Sequence, residues 1–430
     1  MRTRIVNATL ANGLKTSIDI VDGKIAGLSV SGAPDKTYDA GGKYVLPGII
    51  DTHVHFREPG GEQKEDWTTG SHAAAAGGVT TVLDMPNTTP PTIDAGTLEQ
   101  KRLLAAKSIV NYGFHLGATA SNAGEIVKLQ GKVAGVKIYV GSSTGSLLVA
   151  EDNELRKLFS LPGILWLVHA EDETLIQKNM GALGRVTDPG VHSWIRNWEV
   201  AIRAVKRVIA LASETGARIH MCHISTKEEM MLIEQAKAER VRVTCEVSPH
   251  HLFLDESAYA AHSAFVKVNP PLRTPEDRLA LWKGLHHGVI DIIATDHAPH
   301  TVQEKHQPYP QAPSGIPEVQ TSLPMMLQVI GKKEFTLEWL VDVMCKKPAE
   351  IFSLNNKGCI EAGYDADLVV VDMNKRAVVT KDMLLSKCGW SPYEGRKLVG
   401  WPVMTFVNGN LVFDNGKINE ENKGKETHYE

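Results

Sequence analysis

The stretch from Val45 to Gly60 reads VLPGIIDTHVHFREPG, an apolar run that ends in Asp51-Thr-His53-Val-His55-Phe-Arg57. On a strand, alternation sets Asp51, His53, His55 and Arg57 on one face and Thr52, Val54 and Phe56 on the other. Two imidazoles one pleat repeat apart can grip a metal ion from the same side. A lone His-x-His pair sits as readily on an ordinary polar strand face, so the rest of the chain has to decide.

Downstream, apolar runs alternate with helical segments, the pattern of a parallel α/β domain. Eight runs can be counted: VLPGIIDTHVH, TTVLDMPN (80–87), NYGFHLGAT (111–119), GVKIYVG (135–141), ILWLVHAED (164–172), RIHMCHIS (218–225), VRVTCEVSPHH (241–251) and IDIIATDHAPH (290–300). Helices are predicted between them, among them 66–76, 197–213 and 227–239. Eight strand-helix units predict a (β/α)8 TIM-type barrel. An open doubly wound sheet is the competing fold, but no G-x-G-x-x-G follows any strand, and GSSTGS (141–146) lacks the lysine of a phosphate loop.

Strand-and-turn texture frames this region. Residues 1–46 carry the hairpin signals Asn12-Gly13 and Asp22-Gly23, and from about Lys357 the runs DADLVVVD and WPVMTFVNGNLVFDNG return to short strands. The expected division is a small β-sandwich from 1–46 plus 357–430 beside a barrel over 47–356. The last dozen residues, NEENKGKETHYE, read as a frayed terminus.

Composition removes several function classes. A net charge of −4 leaves no electrostatic footprint for nucleic acid or an anionic membrane. No apolar run reaches the roughly 18 residues needed to cross a bilayer. The start, MRTRIVNATLANG, lacks the apolar core of a signal peptide, and five scattered cysteines with no C-x-x-C pair suit reduced thiols in a cytoplasm.

Catalytic residues of barrel enzymes sit at the carboxyl ends of the strands. Here those ends carry His53 and His55, Asn87, His169, His223 and Asp296, with Lys137 inside strand four. Four imidazoles and one carboxylate exceed the three protein ligands of a mononuclear catalytic zinc site, so two metals sharing the set fit better. Lys137 is unexpected in an apolar strand. It could point outward or pair with an acid. As a neutral amine it could take up CO2 and become a carbamate able to bridge two cations.

The segments PGIIDTHVHFREPG, GGVTTVLDMPNT, GVKIYVG, LVHAED, HMCHIS, VKVNPPLR, TDHAPHT, APSGIP and SKCGWSPYEG together resemble the dihydroorotases of the cyclic amidohydrolase superfamily, in its lysine-bearing branch. The resemblance covers nearly the whole chain. It implies a reversible, zinc-dependent cyclisation of N-carbamoyl-L-aspartate to L-dihydroorotate in pyrimidine biosynthesis, with a metal-bridging hydroxide as nucleophile and Asp296 as proton shuttle. His53, His55 and Asp296 would hold one Zn2+, His169 and His223 the other, and carboxylated Lys137 would bridge them. Arg57, Asn87 and His300 match carboxylate-binding residues. Asn269, Ser314 and Gly315 match contacts to the substrate ring, and His55 also faces substrate.

The resemblance further implies a homodimer and raises contact with aspartate carbamoyltransferase. It departs in GSSTG, the loop of Thr144, which is short against the family's threonine-bearing loop, and it leaves His250 and His251 to supporting roles. Arg57 separates this pattern from the allantoinases and hydantoinases, which lack an arginine after the second histidine. A non-catalytic scaffold relative would have lost metal ligands that are all present here.

Overall fold

The structure is a computed structural model that describes residues 1–141, 147–184, 186–332 and 335–429. Five N-terminal strands come first: β1 (Arg2–Thr9), β2 (Lys15–Val21), β3 (Lys24–Leu28), β4 (Lys36–Asp39) and β5 (Tyr44–Pro47). The turn between β2 and β3 is the expected Asp22-Gly23, with φ of 50° and 82°; a side chain at Gly23 would meet the Asn408 carbonyl at 2.9 Å. Both residues therefore hold the positive φ that a tight hairpin needs.

Eight parallel strands follow in register: β6 (Ile49–Val54), β7 (Val79–Asp84), β8 (Asn111–Gly117), β9 (Gly135–Tyr139), β10 (Leu165–His169), β11 (Arg218–Met221), β12 (Val243–Val247) and β13 (Ile292–Ile293). Residues of β6, β7 and β8 are buried throughout, as a parallel sheet covered on both faces requires. A parallel bridge between Val54 and His297, with the His55 amide donating to the His297 carbonyl at 2.8 Å, closes the sheet into a barrel. Asp51 secures the same seam by accepting from the Thr295 amide at 3.0 Å and its hydroxyl at 2.6 Å.

The predicted helices form with their caps one residue outside. Asp66 caps Trp67–Ala76 through the Thr68 and Thr69 amides, Asn197 caps Trp198–Thr215, and Thr226 closes a capping box on Lys227–Ala238.

After the barrel, β14 (Leu368–Val378), β15 (Lys397–Val407), β16 (Asn410–Asp414) and β17 (Lys417–Ile418) extend the N-terminal strands into one nine-stranded sheet, joined where β14 pairs antiparallel with β5. The sheet curls until Lys24 of β3 bridges Asp365, just ahead of β14. It encloses its own core of Ile5, Ile18, Ile20, Val45, Leu368, Val370 and Phe406. The Thr405 hydroxyl on β15 donates to the Ala75 carbonyl at 2.7 Å, tying this sheet to a barrel helix.

Two expectations need correction. The C-terminal tail is not frayed: the Tyr112 amide donates to Lys425 O at 3.0 Å and the Thr427 amide returns to Tyr112 O at 2.8 Å. Tyr429 lies where any Cβ on Gly113 would approach its hydroxyl to 2.1 Å. Charged composition reports how side chains are solvated and is blind to main-chain pairing of this kind. The eighth strand is also far shorter than its apolar run, because Asp296 at φ 50° turns the chain away three residues after β13 ends.

Candidate active site

Five of the eight barrel strands carry the expected ligands, within the strand or just past its carboxyl end. His53 lies within β6 and His55 one residue past it; Lys137 is central in β9 and His169 ends β10; His223 and Asp296 follow β11 and β13. All six are buried. Arg57, His223 and Asp296 take φ of 63°, 35° and 50°, a left-handed backbone that costs a non-glycine residue energy and that collects at functional sites. This overturns simple alternation for Arg57. Strand β6 stops at Val54, and a turn rather than a pleat brings the guanidinium to the pocket.

Asp296 Oδ1 lies 2.9 Å from His55 Nε2 and 3.3 Å from His53 Nε2. His169 Nδ1 and His223 Nε2 face each other at 3.1 Å. His53, His223 and Asp296 each offer a ligand atom, all within 4.8 Å of one another. The buried Nδ1 of His223 has no hydrogen-bond partner among the described residues. Such a convergence of nitrogen and carboxylate donors suits a divalent transition metal.

The electrostatics agree. Burial and Lys137 oppose a charge on His53, yet Glu246 and Asp296 push its pKa up to about 10. Burial works against the Asp296 carboxylate too, but His53 and His55 hold its pKa well below the usual range. His55 goes the other way, to about 4, chiefly through burial. Two buried carboxylates thus hold a positive charge at His53, while burial keeps His55 neutral.

Lys137 faces the histidines rather than the barrel exterior. Its Nζ lies 3.0 Å from Cys222 Sγ and 5.2 Å from the centre of the Tyr139 ring. Burial disfavours its ammonium, but Cys222 and Tyr139 leave its pKa raised.

Residues the sequence reading passed over orient these ligands. Glu246, in β12, accepts from His53 Nδ1, from His220 Nε2 at 3.1 Å and from the His223 amide at 3.3 Å. Glu171 accepts from His169 Nε2 at 3.0 Å and pairs with Arg196. Arg196 and His169 outweigh burial and bring the Glu171 carboxyl down to about 2. A carboxylate behind a ligating imidazole fixes its tautomer and ring orientation. The available signal was an acid inside each apolar run, VTCEVS and VHAED.

The other half of the pocket is built to bind. The Arg57 guanidinium donates through Nε to Pro299 O at 3.1 Å and lies 3.2 Å from His300 Nε2 through Nη2. Among the described residues it has no ion-pair partner. Asn87 Oδ1 accepts from His55 Nδ1 at 2.7 Å. Asn269 Oδ1 accepts from His192 Nε2 at 2.8 Å and from the Ser314 hydroxyl at 3.1 Å, which assigns its amide NH2 as the free donor. Gly315 has φ 133°, and a Cβ there would approach the Ala298 carbonyl to 2.4 Å.

Eleven of the twelve expected site residues line one cavity, together with Tyr139 and Ala298. His300 stands behind Arg57, with Nε2 3.0 Å from the Ser314 carbonyl. His250 bonds Glu318 at 2.8 Å and His251 bonds Pro270 O at 3.2 Å, so neither enters the cavity. Thr144 lies outside the described residues. The SKCGWSPYEG segment braces the wall: Trp390 Nε1 donates to His300 O at 2.7 Å and the Tyr393 hydroxyl to Glu318.

Comparison with known proteins places these features in context. A family model described as "Amidohydrolase family" matches residues 44–412. Dihydroorotase of Methanosarcina acetivorans is 41% identical over 405 residues, covering 90% of this chain and 85% of that protein. Dihydroorotase of Methanothermobacter thermautotrophicus is 39% identical and covers 97% of this chain and 95% of its own length. Among solved structures, an L-hydantoinase (dihydropyrimidinase) from Arthrobacter aurescens superposes with a TM-score of 0.92 at 32% identity, covering 97% of each chain.

Proposed function

The chain belongs to the amidohydrolase family and, within it, to the dihydroorotases, and from that premise we propose how its residues divide the work. It is a metal-dependent cyclic amide hydrolase that interconverts L-dihydroorotate and N-carbamoyl-L-aspartate. We propose two Zn2+ ions, one on His53, His55 and Asp296 and the other on His169 and His223, with carboxylated Lys137 between them. The donor set, its buried carboxylates and the inward-facing amine support this assignment. Such ions, when bound, supply an activated water and Lewis acidity toward the ring carbonyl.

The chain does the rest. Asp296 accepts the proton released as the carbonyl is attacked and returns it to the leaving ring nitrogen. Arg57, Asn87 and His300 bind the substrate carboxylate, while Asn269 and the backbone at Ser314 and Gly315 hold the ring edge. Burial of the cluster strengthens each of these charge interactions.

One observation carries the choice of substrate: the guanidinium of Arg57 sits at the cavity with no carboxylate partner among the described residues. A planar guanidinium matches a carboxylate as a fork. Simple hydantoins carry none, so such a ring would leave this guanidinium without a partner. A charge-assisted hydrogen bond contributes about 1.5–3 kcal/mol. Arg57→Ala should therefore lower kcat/KM for dihydroorotate roughly tenfold to a hundredfold in a steady-state hydrolysis assay. Near-normal kinetics would remove the reason for this substrate.

The equilibrium has a pH signature as well. Ring closure converts a dianion to a monoanion and consumes one proton. The ratio of dihydroorotate to N-carbamoyl-aspartate should thus rise about tenfold for each unit fall in pH between about pH 6 and about pH 8, where both carboxylates stay ionised. A flat ratio would contradict the assigned reaction.

The domain division, with residues 47–356 catalytic and the termini forming the small β domain, belongs to the same reading. So do a cytoplasmic homodimer, supported as to compartment by five free cysteines, and contact with aspartate carbamoyltransferase, which rests on the family alone.

A further inference from the structure

Lys64 lies outside the catalytic cavity, on the turn that follows Arg57. Its Nζ reaches His300 Nδ1 at 3.1 Å and Glu304 Oε1 at 2.9 Å. An ammonium has three donors and no acceptor, so Nδ1 of His300 must present its lone pair. The ring proton then belongs to Nε2, where the Ser314 carbonyl accepts it at 3.0 Å, 3.2 Å from Arg57 Nη2. We propose that Lys64 is a positioning residue that locks His300 as the neutral Nε2–H tautomer, so that the ring N–H stays on the Ser314 carbonyl, Nε2 cannot accept from Arg57, and the guanidinium N–H groups are left for the substrate carboxylate.

This inference deepens the substrate reading and rests on it for its functional half. The charged groups around His300 are Arg57, Lys64, Lys305 and Glu304. Burial, then the three cations, keep the ring neutral, its pKa well below the ordinary value. Glu304 Oε2 is 3.8 Å from Nδ1. Without the ammonium in between, this carboxylate is placed to draw the ring proton to Nδ1. Nε2 would then present a lone pair to Arg57 Nη2, 3.2 Å away, and capture an N–H that the substrate carboxylate would otherwise receive.

The test is nitrogen-15 NMR of histidine-labelled protein, with the His300 signals assigned by a His300→Gln control, beside steady-state kinetics. In the parent protein His300 should read as Nε2–H from about pH 6 to about pH 8. Lys64→Met should move the signal toward Nδ1–H and raise KM for dihydroorotate about tenfold, with kcat changed less than about twofold. Lys64→Arg, which keeps a cationic donor, should restore both. A parent ring that is Nδ1–H or imidazolium overturns the proposal, as does a Lys64→Met protein with parental tautomer or parental KM. The NMR reading needs no substrate. If the parent protein failed to turn over dihydroorotate while His300 stayed Nε2–H, the substrate reading would fall and the tautomer lock would stand.

Discussion

Asp296→Asn should reduce kcat for dihydroorotate hydrolysis by about 10³-fold, within the range typical of losing a positioned acid–base group. The substitution keeps the shape of the side chain and a polar atom toward His55 Nε2, now 2.9 Å from the carboxylate. What it removes is the capacity to take and return a proton. Its partners His53 and His55 hold the carboxyl ionised well below the usual range, so it is ready as a base throughout neutral pH. Far-ultraviolet circular dichroism should be unchanged, because Asp296 lies beyond the end of β13 and takes no part in its pairing. A variant within about tenfold of the parent would mean that another group carries the proton.

Lys137→Ala should act on the metals first. Elemental analysis of the purified variant should find one zinc ion per chain or fewer, against about two in the parent, and turnover should fall at least a hundredfold, about the weight of losing several kcal/mol of charge stabilisation. The amine sits fully buried among His53, His169, His223 and Cys222, in surroundings that favour a cation. Turning it into an anionic carbamate suits that cavity only with cations beside it. Lys137→Arg separates charge from chemistry, since it keeps a cation but forms no such bridge. It should lose zinc as Lys137→Ala does. An arginine variant with two zinc ions and parental turnover would refute the bridge.

Much of the candidate site is legible in the sequence because several strands end their apolar runs on a histidine or an aspartate. His169 closes LWLVH and is the last residue of β10; His53 and His55 straddle the end of β6 as alternation requires. The barrel follows from counting such runs. Arg57 reaches the same pocket, but through a left-handed turn that no periodicity encodes.

Glu246 and Cys222 were missed for a related reason. They lie inside or just past buried runs, where composition reads as core, and only the closing of the barrel brings Glu246 to His53 and Cys222 to Lys137. The C-terminal tail is illegible in another way. Lys425 and Thr427 bind the barrel through main-chain atoms, while their side chains supply the polar composition that suggested disorder.

The central claim is that a metal-loaded cavity lined by the Arg57 guanidinium selects a ring bearing a carboxylate. Its most direct test compares hydrolysis of dihydroorotate, hydantoin and allantoin by the zinc-loaded protein under one set of conditions. The account predicts kcat/KM for dihydroorotate at least about tenfold above either uncharged ring, the minimum expected from one charge-assisted bond. Equal or better turnover of hydantoin or allantoin would contradict it.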